Sequence, residues 1–222
     1  MLYKIWNLFL SFLKKDLIID FKMGQIDRER LFTIPLITNY IRINNFELVA
    51  SEIIEKNVLG NTAELGVYKG EFAKYINKAF PDRKLYLFDT FEGFNSKDIA
   101  IETNQSYSLG NQNFSNTSIN EVLNKMTTKS NCIVKKGWFP ESLNNLEDTF
   151  CFVSIDADLY KPIYDGLEYF YPRLNKGGYI FVHDYNNDLY KGSKAAVRDY
   201  CQKENITYTP IADSWGTVVI AK

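Results

Sequence analysis

Five short apolar runs, spaced between amphipathic stretches, leave few folds open to this chain. Residues 62–67, 84–89, 132–136, 150–155 and 179–182 read as strands, and residues 71–80, 160–174 and 194–203 read as helices. Runs this short suit strands better than helices. The run Phe150 to Ile155 is apolar almost throughout, as expected of a central parallel strand buried on both faces. Strand-helix alternation of this kind gives an open, doubly wound sheet. Residues 206–211 and 217–221 follow as two β runs joined by Asp-Ser-Trp-Gly, a connection short enough for an antiparallel pair. The expected fold is therefore α/β. A mostly parallel, doubly wound, seven-stranded sheet carries N-terminal helices and an antiparallel C-terminal strand.

Breaks in the pattern set the boundaries. Pro81 ends the first helix, and Asn175-Lys176-Gly177-Gly178 ends the helix before the fifth strand. Residues 90–116 form a long polar loop rich in Asn, Ser and Gly, of a length usually tied to function inside a compact domain. Ser118 with Glu121 three residues on has capping-box spacing, so a helix should start there.

Ahead of the sheet, residues 27–57 show an apolar stripe that includes Leu36, Tyr40, Phe46, Val49 and Ile53. Residues 1–15 place Leu2, Ile5, Trp6, Phe9, Phe12 and Leu13 at helical spacing, interrupted by Lys4, Asn7 and Ser11. That segment is too short and broken to span a bilayer, and no small-residue cleavage site follows it. Its apolar face is expected to pack on the domain or on a second subunit, making a homo-oligomer, with weak contact to a membrane surface as the alternative. The division is then a helical segment over residues 1–60 and a catalytic domain over residues 61–222.

Composition excludes other classes. A formal net charge of −1 over 222 residues gives no field that would favour nucleic acid. Cys132, Cys151 and Cys201 are odd in number and widely spaced, and two of them sit in strand-like runs. Such a set argues for a reducing, cytoplasmic setting rather than a disulfide framework.

The chemistry should lie where strands end. Glu64, Asp89, Asp156, His183 and Asp184 all fall at carboxyl ends of the expected strands, the edge where doubly wound sheets bind ligands. The first strand turns into its helix through Glu64-Leu65-Gly66-Val67-Tyr68-Lys69-Gly70. A dinucleotide site would want a glycine where Glu64 stands, since a carboxylate repels a pyrophosphate. An acid there suits a ligand with an ammonium group, such as the amino-acid tail of S-adenosylmethionine. Asp89, followed by Thr90, would then accept hydrogen bonds from the ribose hydroxyls. Gly137 closes the third strand, and Trp138 after it could lie along the adenine or simply pack in the core.

These residues also carry a resemblance. The segments AELGVYKGEFAKYI, LYLFDTFEGF, KKGWFPESL, SIDADLYKPIYDGLEYFYPRLNKGGYIFVHDY and WGTVVIAK resemble the TylF/MycF/NovP family of macrocin-type sugar O-methyltransferases, over roughly residues 40–222. The resemblance implies a class I, Rossmann-like methyltransferase fold, S-adenosylmethionine as methyl donor, and a sugar hydroxyl on a small molecule or glycan as acceptor. It further implies a divalent metal, Mg²⁺ or Mn²⁺, held by Asp156, His183 and Asp184.

At His183 the sequence departs from the family pattern, where an acid is expected. Mg²⁺ prefers oxygen ligands, whereas Mn²⁺, Fe²⁺ or Zn²⁺ accept imidazole. Alternatively no metal is used, and His183 or Asp156 takes the proton from the acceptor hydroxyl. Asp158 either reaches the acceptor or caps the helix that follows. Asn39, Tyr40 and Arg42 are expected on the acceptor wall. A catechol-type methyltransferase would carry lysine where Leu159 stands. A binding protein with the same fold but no activity remains the non-enzymatic alternative.

Overall fold

The computed structural model describes residues 39–222, and the amphipathic segment at residues 1–15 lies outside them. Among the described residues the strands are β1 (Asn61–Leu65), β2 (Leu85–Asp89), β3 (Cys132–Lys136), β4 (Phe150–Ile155), β5 (Leu174–Val182), β6 (Thr209–Ile211) and β7 (Thr217–Ala221). They form one seven-stranded sheet in the order β3-β2-β1-β4-β5-β7-β6. β1 to β5 are parallel, while β7 runs antiparallel to both β5 and β6. The chain reverses its lateral direction between β1 and β4, and this switch point opens a crevice at the carboxyl ends of those strands.

The helices are α1 (Tyr40–Glu55), α2 (Ala73–Ala79), α3 (Ser96–Asn104), α4 (Ile119–Asn124), α5 (Tyr160–Arg173) and α6 (Lys191–Lys203). Alternation along each strand sends side chains to two cores. Ala63, Leu65, Val153, Ile155, Ile180 and Val182 pack towards α5 and α6, with Ile163, Leu167, Phe170 and Val197. Leu85, Leu87, Phe152 and Phe181 pack on the other face, with Phe46 of α1, Ile76 of α2 and Val122 of α4. Phe46 is fully buried, its ring centroid 4.6 Å from that of Phe152 and 5.3 Å from that of Phe72. Helix α1 thus belongs to the same compact unit as the sheet.

Two expectations need correction. The polar loop at residues 90–116 contains α3. Its start is fixed by Asn95, whose side chain accepts the Lys97 backbone N–H, and its body by buried Asp98 and Glu102. Intrinsic propensity is weak there, so tertiary hydrogen bonds hold the helix rather than an apolar stripe. The expected stop at residues 175–178 lies inside β5. Phe150 pairs with Leu174 and Phe152 with Tyr179, so one strand carries extra residues as a bulge. Gly177 at φ +86° permits that bulge. The capping expectation at Ser118 holds, since its hydroxyl accepts the Glu121 N–H at 3.1 Å.

Candidate active site

The switch point opens into a cavity of about 850 Å³, lined by Glu64, Gly66, Val67, Tyr68, Asp89, Thr90, Gly137, Trp138, Asp156, His183 and Asp184. Five strand ends therefore bring together residues that stand more than a hundred positions apart in the chain. Gly70 lies behind this wall, packed against α4, where an added Cβ would sit 3.0 Å from Val122.

The turn after β1 is held by Asp89. One carboxylate oxygen of Asp89 accepts the Val67 and Tyr68 N–H groups at 2.8 and 2.7 Å, and the other accepts the Phe91 N–H at 2.7 Å. Three backbone donors on one carboxylate fix the loop in which Gly66 and Tyr68 both adopt positive φ. Asp89 thus shapes the loop as well as facing the cavity. Charge-assisted bonds of this kind contribute about 1.5–3 kcal/mol each. Asp89→Ala is expected to weaken S-adenosylhomocysteine binding on the order of 10- to 100-fold by calorimetry, and unchanged affinity would remove Asp89 from the donor site.

Thr90 is occupied locally, its hydroxyl donating to the Gly93 carbonyl at 2.6 Å. Trp138 donates its indole N–H to Asp98 of α3 at 2.8 Å, and Lys97 lies over its ring at 4.2 Å. Burial pushes the Asp98 carboxyl up to about 6, against the opposing pull of the Trp138 hydrogen bond.

Glu64 sits on β1 facing α1 and is 1% exposed. Burial drives its carboxyl well above the usual range, countered in part by the Arg42 charge. Asp156 leaves β4 with one carboxylate oxygen accepting from Arg42 Nη1 at 2.8 Å. The other lies 3.1 Å from His183 Nδ1, which is also 2.8 Å from an Asp184 oxygen. Asn187 steadies the remaining Asp184 oxygen at 2.9 Å.

Burial pulls the His183 imidazole down, but the charge of Asp156 and the hydrogen bonds that Nδ1–H makes to both carboxylates outweigh it, pushing His183 up to about 9. Asp156 moves the opposite way. Although burial raises it, the His183 and Arg42 charges hold it far below the carboxylate range. Donor atoms of Asp156, His183 and Asp184 all lie within 4.8 Å of one another, close enough to share one metal ion. A nitrogen with two carboxylates fits Mn²⁺ or Zn²⁺ better than Mg²⁺.

Asp158 lines the same cavity in a left-handed conformation, φ +59°. Burial and the nearby Asp184 and Asp156 charges raise its carboxyl well above the usual range. It does not cap α5. Leu159 holds the N-cap position without a side-chain bond, and Glu102 of α3 accepts the Tyr160 N–H instead. Arg42 is 2% exposed beneath Asp156, deeper than an acceptor wall would place it.

Sequence reasoning missed the mouth of the cavity. Phe94, Phe114, Leu189, Tyr190 and Trp215 line the cavity, where Tyr190 is buried while Leu189 and Trp215 remain 66% and 49% exposed. Their sequence neighbourhoods give no sign of this, since exposure beside a cavity is decided by the fold.

Comparisons with known proteins agree with this fold. The macrocin O-methyltransferase (TylF) family profile matches residues 31–220. Demethyldecarbamoylnovobiocin O-methyltransferase of Streptomyces niveus is 26% identical over 177 residues, covering 74% of this chain and 67% of its own. Mycinamicin III 3''-O-methyltransferase of Micromonospora griseorubida is 24% identical over 188 residues, covering 75% and 70%. Among solved structures, the O-methyltransferase NovP superposes with a TM-score of 0.66 at 24% identity, over 82% of this chain and 79% of that one. A seven-stranded sheet with antiparallel closing strands, and a profile match across nearly its whole described length, place this chain in the macrocin O-methyltransferase family.

Proposed function

We propose that this protein transfers a methyl group from S-adenosylmethionine to a sugar hydroxyl on a small molecule or glycan. The observation that carries this reading is one continuous cavity with Glu64 at one part of its wall and Asp156, His183 and Asp184 at another. When bound, S-adenosylmethionine supplies an electrophilic sulfonium methyl. Glu64 receives its ammonium group, the Gly66 to Tyr68 turn and Asp89 receive its ribose, and Trp138 borders the adenine. The acceptor oxygen attacks the methyl carbon as the carbon-sulfur bond breaks, leaving that electron pair on sulfur. The hydroxyl proton passes to His183, which takes it only while its imidazole is neutral. Orientation supplies most of the acceleration, because a held nucleophile and methyl group react as one molecule.

Asp156 and Asp184 oxygens lie 3.1 and 2.8 Å from His183 Nδ1, an arrangement that attracts positive charge, whether a proton or a metal ion. A divalent ion held by Asp156, His183 and Asp184 would lower the acceptor hydroxyl's pKa as a Lewis acid. Such an ion and that proton compete for Nδ1, so only one of them occupies it at a time. The sugar preference is supported by a Streptomyces olivaceus relative, 25% identical over 192 residues, whose name gives a rhamnosyl-tetracenomycin as acceptor, and by Trp215, Phe94 and Phe114 in the cavity lining, whose faces suit sugar C–H surfaces. Free Cys132, Cys151 and Cys201 support work in a reducing cytoplasm.

The test is a screen of sugar-nucleotide and glycan acceptors, read as a mass gain of one methyl. No methylated product from any hydroxyl acceptor would overturn the reading. Within that assay, chelator is expected to abolish turnover, and Mn²⁺ to restore it better than Mg²⁺. Full activity in excess chelator would leave His183 or Asp156 as the proton acceptor.

A further inference from the structure

Six large apolar side chains are exposed among the described residues, and two of them, Leu189 and Trp215, line the cavity. Apolar groups scattered singly over a surface need no explanation, whereas two that border one ligand cavity point to an apolar ligand. Both are tied to the residues that follow Asp184. Asn187 donates its side-chain amide to Asp184 at 2.9 Å, and its side-chain oxygen accepts the Leu189 N–H at 3.0 Å. The Asn186 N–H donates to the Trp215 carbonyl at 2.9 Å, and the Tyr185 N–H to the Gly216 carbonyl at 2.8 Å. Gly216, at φ +77°, lies so close to Asn186 that an added Cβ would stand 2.9 Å from its amide nitrogen. Hydrogen bonds thus fix the backbone of both residues one or two links from the carboxylate beside His183.

Charge around them narrows the ligand. Among the described residues, the cationic side chains lining the cavity besides His183 are Arg42, Lys69 and Lys74. All three belong to α1 or to the stretch from β1 into α2, and each is engaged. Arg42 bonds Asp156 at 2.8 Å, Lys74 bonds Glu71, and Lys69 lies 5.2 Å over the Tyr68 ring. From Asp156 onwards the lining is acidic, amide, aromatic or aliphatic except for His183, which lies between two carboxylates. Lys194 of α6 donates to Asn186 Oδ1 at 2.9 Å and does not line the cavity. A diphosphate joined to the acceptor sugar would find no free counter-charge on this side and would face Asp184. A neutral apolar group would instead cover Leu189 and Trp215.

We propose that Leu189 and Trp215 receive an apolar group glycosidically linked to the acceptor sugar, so that this protein methylates a neutral glycoside rather than a nucleoside-diphosphate sugar. This rests on the methyltransferase reading above and chooses among the acceptors it allows. An aromatic side chain buries about 150–250 Å² when fully covered, so Trp215 can border the sugar ring and its substituent together. Leu189 then separates acceptors by what the sugar carries. It is a specificity residue and takes no part in the transfer step.

Matched acceptors test it. Hexoses and 6-deoxyhexoses are supplied, in both anomers, as the methyl glycoside, the 2-naphthyl glycoside and the nucleoside-diphosphate sugar, and kcat/KM is read from the mass gain of one methyl. For a sugar that is methylated, wild-type protein is expected to favour the naphthyl over the methyl glycoside by about 10- to 100-fold, the range for an apolar pocket. The gain should lie chiefly in KM, and the diphosphate form should be the poorest of the three. Leu189→Asn, a change at an exposed position, should cut the naphthyl preference to about threefold or less. Equal wild-type kcat/KM for the methyl and naphthyl forms would overturn the proposal without recourse to any variant. A preference for the diphosphate form would overturn it too, as would an undiminished naphthyl preference in folded Leu189→Asn protein. If no sugar were methylated in any form, the methyltransferase reading itself would fall, and this proposal with it.

Discussion

Asp156→Asn is expected to lower turnover by about 10²- to 10⁴-fold, the range for loss of a positioned acid-base group. S-adenosylhomocysteine affinity should change by no more than a few fold. Asparagine keeps an oxygen for Arg42 Nη1, so the bond now 2.8 Å long can persist. What disappears is the negative charge that faces His183 Nδ1 alongside Asp184. Removing one partner of a buried ion pair outright costs about 3–5 kcal/mol, and the retained hydrogen bond should reduce that. A thermal melt run beside the kinetics separates lost chemistry from lost fold. Equal losses of turnover and donor affinity in a folded variant would contradict the division of labour between Glu64 and Asp156.

Gly66→Ala should act in the opposite manner, on fold and donor binding together. Gly66 has φ +84°, and an added Cβ would stand 2.1 Å from the Asp156 backbone oxygen. Neither atom can yield by a rotamer change, because both neighbours are main chain. The Gly66 N–H is bonded to Phe88 O at 2.9 Å and the Asp156 N–H to Leu65 O at 2.8 Å, so a shift breaks two strands' ends at once. Backbone strain and overpacking each cost about 1–3 kcal/mol, giving roughly 3–5 kcal/mol here. For a domain this size that lowers the melting temperature by roughly 10 °C. Donor affinity should fall with it. A variant with wild-type melting and wild-type affinity would show that the two strand ends can separate freely.

Local patterns made most of the sheet legible. The bounds of β3 and β4 match the expected runs at residues 132–136 and 150–155, because both are short apolar stretches closed by polar residues. The acids at strand ends were legible for the same reason, since a strand's end fixes where its next residue can point. Three features were not settled by local pattern. Helix α3 depends on Asp98 and Glu102 finding partners at Trp138 and Tyr160, some forty and sixty residues away. The early start of β5 depends on pairing with Phe150 rather than on its own Gly-Gly. Arg42 meets Asp156 across 114 positions, and nothing in its own helix distinguishes it from a surface arginine. Periodicity locates elements, while such pairings are decided by which elements the topology brings together.

The bond from Glu102 to Tyr160 has a mechanical consequence. Glu102 accepts both the Tyr160 N–H and the Ser108 hydroxyl, and an added Cβ at Gly192 would stand 2.1 Å from it. Helix α3 is thereby riveted to the first turn of α5, just beyond Asp156 and Asp158. That wall cannot swing outward without tugging on the acidic segment, so it serves as a fixed jamb rather than a door. Leu189 and Trp215, which also line the cavity, stand open to water.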